Sequence, residues 1–186
     1  TWNDKELGAI CTIPSKGGSP VKLSSEKGIF RTPSYSLDGL SIVYLKESGN
    51  NEQGHSFAKN PGIYIMDASG TNPYFVIEKG QYPTFTKDQK RLFFQTGGTY
   101  FGQLTKELHS VDLNGVDEKT HITSKYANRL IPSPDNKWIA FSHLHKVYIA
   151  PIPQTGKPLN LDNKTNSIPV SQVARDAGIN LHWSAD

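Results

Sequence analysis

Short apolar runs alternate with polar turn residues along the whole chain. Typical runs are 42–44 (Ile-Val-Tyr) and 92–94 (Leu-Phe-Phe), which are rich in β-branched and aromatic residues and are bounded by Asp, Gly, Asn or Pro. The apolar spacing of three and four residues that a helical repeat needs is not visible. The 16 Gly and 12 Pro among 186 residues suit many short strands joined by tight turns. The pattern therefore predicts an all-β protein.

A repeat of about fifty residues organises these strands. Four segments end on an Asp that has Ser or Thr two residues before it, and these are Asp38, Asp88, Asp135 and Asp186. Successive Asp residues are 50, 47 and 51 positions apart. In the first and third copies the Asp is followed by Gly or Asn, which reach the positive φ of a tight turn at low cost. Each Asp is therefore predicted to mark a strand–turn–strand unit and to have a structural role.

A second hairpin follows the Asp turn in each repeat, for example at 62–73, 107–115 and 146–158. Four antiparallel strands in about fifty residues are typical of a β-propeller blade. We therefore predict one propeller domain over 1–186, built from four-stranded antiparallel blades. About three blades are complete and the chain ends carry partial ones: 6–24 is a partial blade, 28–77, 78–123 and 124–172 are blades, and 173–186 begins a further blade.

Three segments of the chain resemble the W-S-P-D-G-K-x-I-A-F signature of TolB-like propeller repeats, namely 35–39, 133–141 and 182–186. Segment 63–73, Ile-Tyr-Ile-Met-Asp-Ala-Ser-Gly-Thr-Asn-Pro, resembles the second hairpin of that family. The resemblance runs from about residue 6 to the end of the chain, and Trp183 stands at the motif aromatic. It implies the propeller fold, a role in binding or gating, and a periplasmic or secreted location, with a cytoplasmic one still open.

Segments 129–135, 147–151 and 171–178 also resemble the propeller that precedes the metal-dependent hydrolase domain of certain large secreted amidohydrolases. That resemblance implies a catalytic metal site in another domain. Pro132 replaces the motif aromatic and Leu181 replaces the usual Pro, which are departures from the family pattern.

The partial blades leave two arrangements open. Either they share one blade and close a four-bladed ring, or the chain is cut from a ring of six or seven blades. The second is favoured, because the chain stops inside a hairpin signature at Asp186. An open arc exposes strand edges, so self-association of the isolated chain is expected.

Composition restricts the chemistry further. The net charge is +3 and the signs are interspersed, which gives no electrostatic footprint for nucleic-acid binding. No apolar stretch approaches the roughly 20 residues of a membrane span. The single Cys11 excludes an intramolecular disulfide. No nucleophile elbow, phosphate loop or H-E-x-x-H motif is present, so no cofactor is predicted.

Histidines supply weak candidates for a site. His143 and His145 are candidates for a metal site. Two residues with this spacing on a strand face the same side, so both imidazoles can reach one ion. Both lie in a predicted turn, and plain turn histidines are the default. His182 lies beside the motif Trp183 and is predicted either to face a ligand or to make a structural hydrogen bond.

Two loops lie between second and third strands, 46–60 and 97–102. They are predicted either to be recognition surfaces, because rigid scaffolds often carry binding residues on loops, or to be merely solvated, mobile loops. Their candidate partner-binding residues are His55, Phe57, Tyr100 and Phe101. We therefore expect a non-catalytic module that binds a protein partner, or that gates or shields a linked hydrolase domain. The alternative is a propeller enzyme, such as a metal-dependent polysaccharide lyase or part of a peptidase or amidohydrolase.

Overall fold

The computed structural model describes residues 2–3, 7–47, 60–98, 105–153, 156–178 and 181–184. These residues form seventeen strands and no helix. They fall into two compact units, Thr1–Phe85 and Thr86–Asp186. The prediction of an all-β chain made of antiparallel blades is confirmed.

The first unit contains three sets of strands. Its two short antiparallel pairs are β1 (Trp2–Asn3) with β2 (Leu7–Gly8), and β3 (Cys11–Thr12) with β4 (Val21–Lys22). Its main sheet is antiparallel in chain order and contains β5 (Ile29–Tyr35), β6 (Ser41–Glu47), β7 (Gly62–Asp67) and β8 (Tyr74–Ile77). Strand β9 (Gln81–Phe85) ends the unit.

The second unit contains two sheets. Antiparallel pairing joins the strands β10 (Arg91–Thr96), β11 (Lys106–Asp112) and β12 (Lys119–Ser124). A four-stranded antiparallel sheet follows, made of β13 (Ala127–Pro132), β14 (Trp138–His143), β15 (Lys146–Pro151) and β17 (Ser171–Gln172).

One short strand of the second unit does not pair with its neighbours in the chain, although the sequence predicts such pairing for the strands of a blade. Strand β16 (Leu159–Asn160) lies between β15 and β17 in the chain, yet it pairs in parallel with β12 of the other sheet. The backbone N–H of Leu161 extends this contact by donating to the carbonyl oxygen of Thr123 at 2.8 Å. Leu161 itself is completely buried in the core of the unit. Residues 181–184, in the segment predicted to begin a further blade, form no strand.

The cores follow the alternation of the central strands. In the first unit, buried residues of β6 and β7 pack with Ile10 and Leu23. In the second, the core gathers residues of both sheets around Ile139 and Phe141, which are fully buried. A stacked aromatic pair joins the second and third strands of each repeat. The three pairs are Tyr44–Tyr64, Phe94–His109 and Phe141–Tyr148.

Three of the four predicted Asp turns lie within the described residues, and these three have the same construction. The hydroxyl of Ser36, Thr86 or Ser133 donates to the Asp two residues on, at 2.6, 2.6 and 2.5 Å. The same hydroxyl accepts the backbone N–H five residues on, and the Asp carboxylate accepts the backbone N–H two residues on. The residue after each of these Asp residues has positive φ. This was predicted for Gly39 (73°) and Asn136 (61°), and Gln89 (57°) adopts it as well.

Candidate functional site

A groove of about 680 Å³ opens to solvent on the second unit. This volume lies in the range of small-ligand sites. Its lining combines the Asp turns before β10 and β14 with side chains of β10, β11 and β12. The lining residues are Thr86, Lys87, Asp88, Arg91, Phe93, Ser110, Lys119, His121, Asp135, Asn136, Lys137 and Ile152.

The rim of the groove is held by the two Asp turns. Hydrogen bonds from Thr86 and from the backbone N–H of Lys90 lower the pKa of Asp88. Hydrogen bonds from Ser133 and from the Lys137 N–H do the same to the pKa of Asp135, and the charges of Lys137 and Lys87 assist. Both carboxylates are therefore ionised at neutral pH, and both are occupied in holding their turns.

The floor of the groove is a polar network centred on Arg91. Its Nε donates to the Ser110 hydroxyl at 3.0 Å and its Nη2 to the Ser110 carbonyl oxygen at 3.1 Å. Its Nη1 donates to the Asp117 carboxylate at 2.7 Å, and Nη2 also donates to the Asp117 carbonyl oxygen. Lys119 pairs with the same carboxylate at 3.0 Å. The pKa of Asp117 is lowered by these Lys119 and Arg91 contacts. The guanidinium is thus fixed in one orientation.

His121 completes the floor. Its Nε2 lies 2.8 Å from the Ser110 hydroxyl oxygen, and Phe93 meets the imidazole edge-on. Burial first, and the charge of Arg91 second, lower the pKa of His121 below 6.5. The imidazole is therefore neutral at pH 7, and the Ser110 hydroxyl can donate to Nε2 while its oxygen accepts from Arg91.

A serine beside a neutral histidine is an arrangement that nucleophilic enzymes use. Here, however, Ser110 is only 1% exposed. A nucleophile must reach its substrate, and this oxygen is enclosed between Arg91 and His121. The pair therefore acts as a hydrogen-bonded support for the groove.

The polar floor departs from the other repeats at equivalent strand positions. Ser110 pairs with Phe93 in β10, and the residues at the same place in the other two sheets are Ile65, which pairs with Val43, and Ile149, which pairs with Ala140. His121 is the extra residue of a β-bulge between β11 and β12, and the matching bulge between β7 and β8 contains buried Val76. The blade fold thus accepts apolar residues at these positions, so the network is not required by the fold.

A second histidine lies behind the floor. His109 is 5% exposed and occupies the place that Tyr64 and Tyr148 have in the other stacked pairs. Its Nδ1 lies 3.1 Å from the Thr120 hydroxyl and 3.0 Å from Glu118. Its Nε2 lies 2.9 Å from the Thr96 hydroxyl and 3.3 Å from Glu107. Both ring nitrogens are thus surrounded by oxygen atoms.

The weak metal candidates do not share one side of a strand. His143 is the last residue of β14, whereas His145 lies in the two-residue loop that joins β14 to β15. Leu144, between them, has φ of 58°. His143 contacts the rings of Tyr126 and Tyr148, while His145 is exposed. The premise of a shared ion, that both imidazoles face one side of a strand, therefore does not hold for this pair. Among the described residues, no three His, Cys, Asp or Glu side chains are placed to hold a metal ion.

The other predicted residues divide into three groups. Asp38, Asp88, Asp135 and Trp183 have structural contacts; the Trp183 indole N–H donates to the carbonyl oxygen of Ile131 at 2.9 Å. His182 is exposed. The remaining candidates lie outside the described residues, and these are His55, Phe57, Tyr100, Phe101 and Asp186.

Sequence reasoning missed the floor residues Arg91, Ser110 and His121. The sequence did contain a signal for them. When the repeats are aligned, only the repeat that contains β10–β12 has polar residues at all three positions. Using it requires the exact register of β11 with β12, including the bulge at His121.

Comparison with known proteins defines the class. No family model and no curated protein matches the chain. Solved structures do match, and the architecture that they share with it is the β-propeller. A TolB from Agrobacterium tumefaciens is 20% identical, with a TM-score of 0.56 over 88% of this chain and 55% of that one. TolB from Acinetobacter baumannii is 20% identical, with a TM-score of 0.55 over 94% and 45%.

An oligogalacturonate lyase from Vibrio parahaemolyticus is 10% identical, with a TM-score of 0.55 over 88% of this chain and 42% of that one. At such identities the likeness shows the fold alone. The chain has a TolB-like β-propeller fold, as the sequence resemblance implied. It spans about half the length of these proteins, or less. None of the described residues form a helix that is long and apolar enough to cross a membrane.

Proposed function

We propose that the chain is a non-catalytic propeller module that binds a protein partner, and that the groove of the second unit is the contact surface. The observation that carries this proposal is the fixed polar floor. Arg91, Ser110 and His121 replace residues that are apolar or small elsewhere in the repeat, and they line a groove that is open to solvent. A buried polar network that the fold does not need indicates a function.

The construction of the groove suits recognition. Every rim turn is closed by side-chain and backbone hydrogen bonds, and the guanidinium of Arg91 has partners on all three of its nitrogens. Groups that are held in place before binding lose little conformational entropy when a partner arrives. A rigid, polar surface of this kind selects its partner by charge and hydrogen bonding.

The wider setting belongs to the same proposal. The resemblance to TolB-like proteins supports a periplasmic or secreted location. The resemblance to propellers of large amidohydrolases supports a linked hydrolase domain that the module gates or shields. In that setting, the partner of the groove is either a separate protein or a domain of the same polypeptide.

Site-specific photocrosslinking tests the interaction role. A benzoylphenylalanine in place of Asn136 lies at the groove, and one in place of exposed Lys164 serves as the control on the same unit. In cells of the source organism, we expect a discrete crosslinked protein at position 136 and none at position 164. Equal labelling at both positions contradicts the proposal.

The catalytic alternative has its own outcome in the same study. The purified chain is incubated with oligogalacturonate, with and without added manganese, and unsaturated products are followed by ultraviolet absorbance. Turnover by the wild-type chain would replace the binding role with a lyase activity. Absence of turnover together with a specific crosslink at position 136 supports the module.

A further inference from the structure

We propose that the groove takes an acidic segment of a protein partner, whose carboxylates lie against Lys87 and Lys137. This inference rests on the interaction role proposed above and adds the chemistry of the partner. It follows from a difference between the charges around the groove: the carboxylates are held in structural contacts, whereas two of the lysine side chains are exposed.

Three described carboxylates at or beside the groove are engaged in structural contacts. Asp88 and Asp135 hold their turns, each through a Ser or Thr hydroxyl and a backbone N–H. Asp117, just outside the lining, is bound by Arg91 and Lys119. The lowered pKa of each carboxyl has its main cause in these same contacts. None of the three is therefore available to attract a cation from a ligand.

Two of the cationic side chains that line the groove, those of Lys87 and Lys137, are not held in structural contacts of this kind. Lys87 precedes Asp88 in one rim turn and Lys137 follows Asp135 in the other. Both side chains are exposed, and within the described part of the chain neither ammonium group forms an ion pair. Both residues line the groove, one from each rim turn, and both charges act on Asp135. The lining contains four Lys or Arg residues and two Asp residues, so its net charge is positive while His121 is neutral.

The walls favour a peptide over other polyanions. Phe93 is 6% exposed and meets His121 edge-on, so it offers no open ring face on which a base could stack. Asn136 supplies an amide that can both donate and accept. Ile152 adds an apolar wall, although it too is largely buried. An extended chain, with backbone polar groups and acidic side chains, matches this combination.

Fluorescence anisotropy with two capped, labelled peptides tests the inference. One peptide alternates Glu and Ser, and the other replaces each Glu by Gln. We expect the acidic peptide to bind the wild-type chain at least tenfold more tightly than its Gln counterpart. The affinity should fall when the ionic strength rises from about 0.05 M to about 0.5 M, because exposed charge pairs are screened.

Matched variants locate the site. Lys87→Ala combined with Lys137→Ala should weaken acidic-peptide binding roughly two- to thirtyfold, which is the range expected for two exposed ion pairs. Lys146→Ala combined with Lys164→Ala removes the same charge from exposed positions outside the groove and should change binding less than twofold. An equal loss in both double variants would overturn the site assignment.

Two further outcomes separate the inference from the function on which it rests. If a partner crosslinks at position 136 but its contacting segment is uncharged, the interaction role stands and the acidic ligand is refuted. If labelled oligogalacturonate competes fully with the peptide at the same concentration of carboxylates, the groove selects a polyanion and the peptide is refuted. No crosslink and no peptide binding would refute both.

Discussion

The polar floor of the groove depends on Arg91, and its removal is the sharpest perturbation of the second unit. In Arg91→Ala the side-chain and main-chain oxygens of Ser110 lose the donors that now lie at 3.0 and 3.1 Å. Ser110 is almost fully buried, so water replaces these bonds poorly. The arginine side chain is itself only 20% exposed.

The magnitude follows from those two bonds. Hydrogen bonds with a charged partner contribute about 1.5–3 kcal/mol each, and two from one group are not additive. The exposed ion pair with Asp117 adds little to this loss because solvent screens it. We expect a loss of about 2–3 kcal/mol in the free energy of unfolding, which corresponds to a fall in Tm of about 4–12 °C for a chain of 186 residues.

Urea denaturation followed by circular dichroism measures the loss, with a thermal scan in parallel. Arg175→Ala is the matched control, because Arg175 is an exposed arginine of the same unit and should stay within about 0.5 kcal/mol of wild type. Arg91→Lys keeps the charge but not the planar fork, and it should lose most of the same stability. If Arg91→Ala lies within about 0.5 kcal/mol of Arg175→Ala, the reasoning about the floor is refuted.

Three further expectations concern the turns and the histidine. Ser133→Ala should cost about 1–2 kcal/mol in urea denaturation through the lost bond from Trp138 N–H, whereas Ser133→Thr, which the chain uses in the equivalent turn at Thr86, should cost little. The pKa of His121 is lower in the folded chain than the unfolded value near 6.5, so its contribution to stability is intact above pH 6.5 and is lost as the pH falls. The free energy of unfolding should therefore drop less between pH 7.5 and pH 5 in His121→Val than in wild type. An equal drop in the two proteins would argue against this role of His121. Gly70→Ala places a Cβ 2.5 Å from the Leu23 carbonyl oxygen and should lower Tm more than Gly39→Ala, where only the positive φ opposes the change; the reverse order would refute the packing argument.

The features that were predictable from sequence are local ones. The Asp turns could be predicted because their hydroxyl, carboxylate and backbone groups all lie within six residues of one another, as Ser133 to Trp138 shows. The blade period could be predicted because those turns recur. The aromatic alternation also gave the correct strands, since residues on one face of a strand recur every second position.

The features that escaped prediction depend on register or on distant pairing. His121 reaches Ser110 only because a bulge shifts β12 against β11. The H-x-H spacing suggested a shared face, but β14 ends at His143 and His145 lies in the two-residue loop that follows. The parallel pairing of β16 with β12 joins segments whose order in the chain gives no hint of contact.

The placement of β16 has a consequence for how the chain is made. Strand β12 ends at Ser124, but the strand that covers its outer edge begins at Leu159. At a synthesis rate of about 5–20 residues per second, that edge is open for roughly 2–7 s before its cover emerges. During this interval an exposed strand edge is a template for pairing with another nascent chain. The speed of translation over β13–β15 therefore sets how long the open edge of a nascent chain can pair with another nascent chain on the same mRNA.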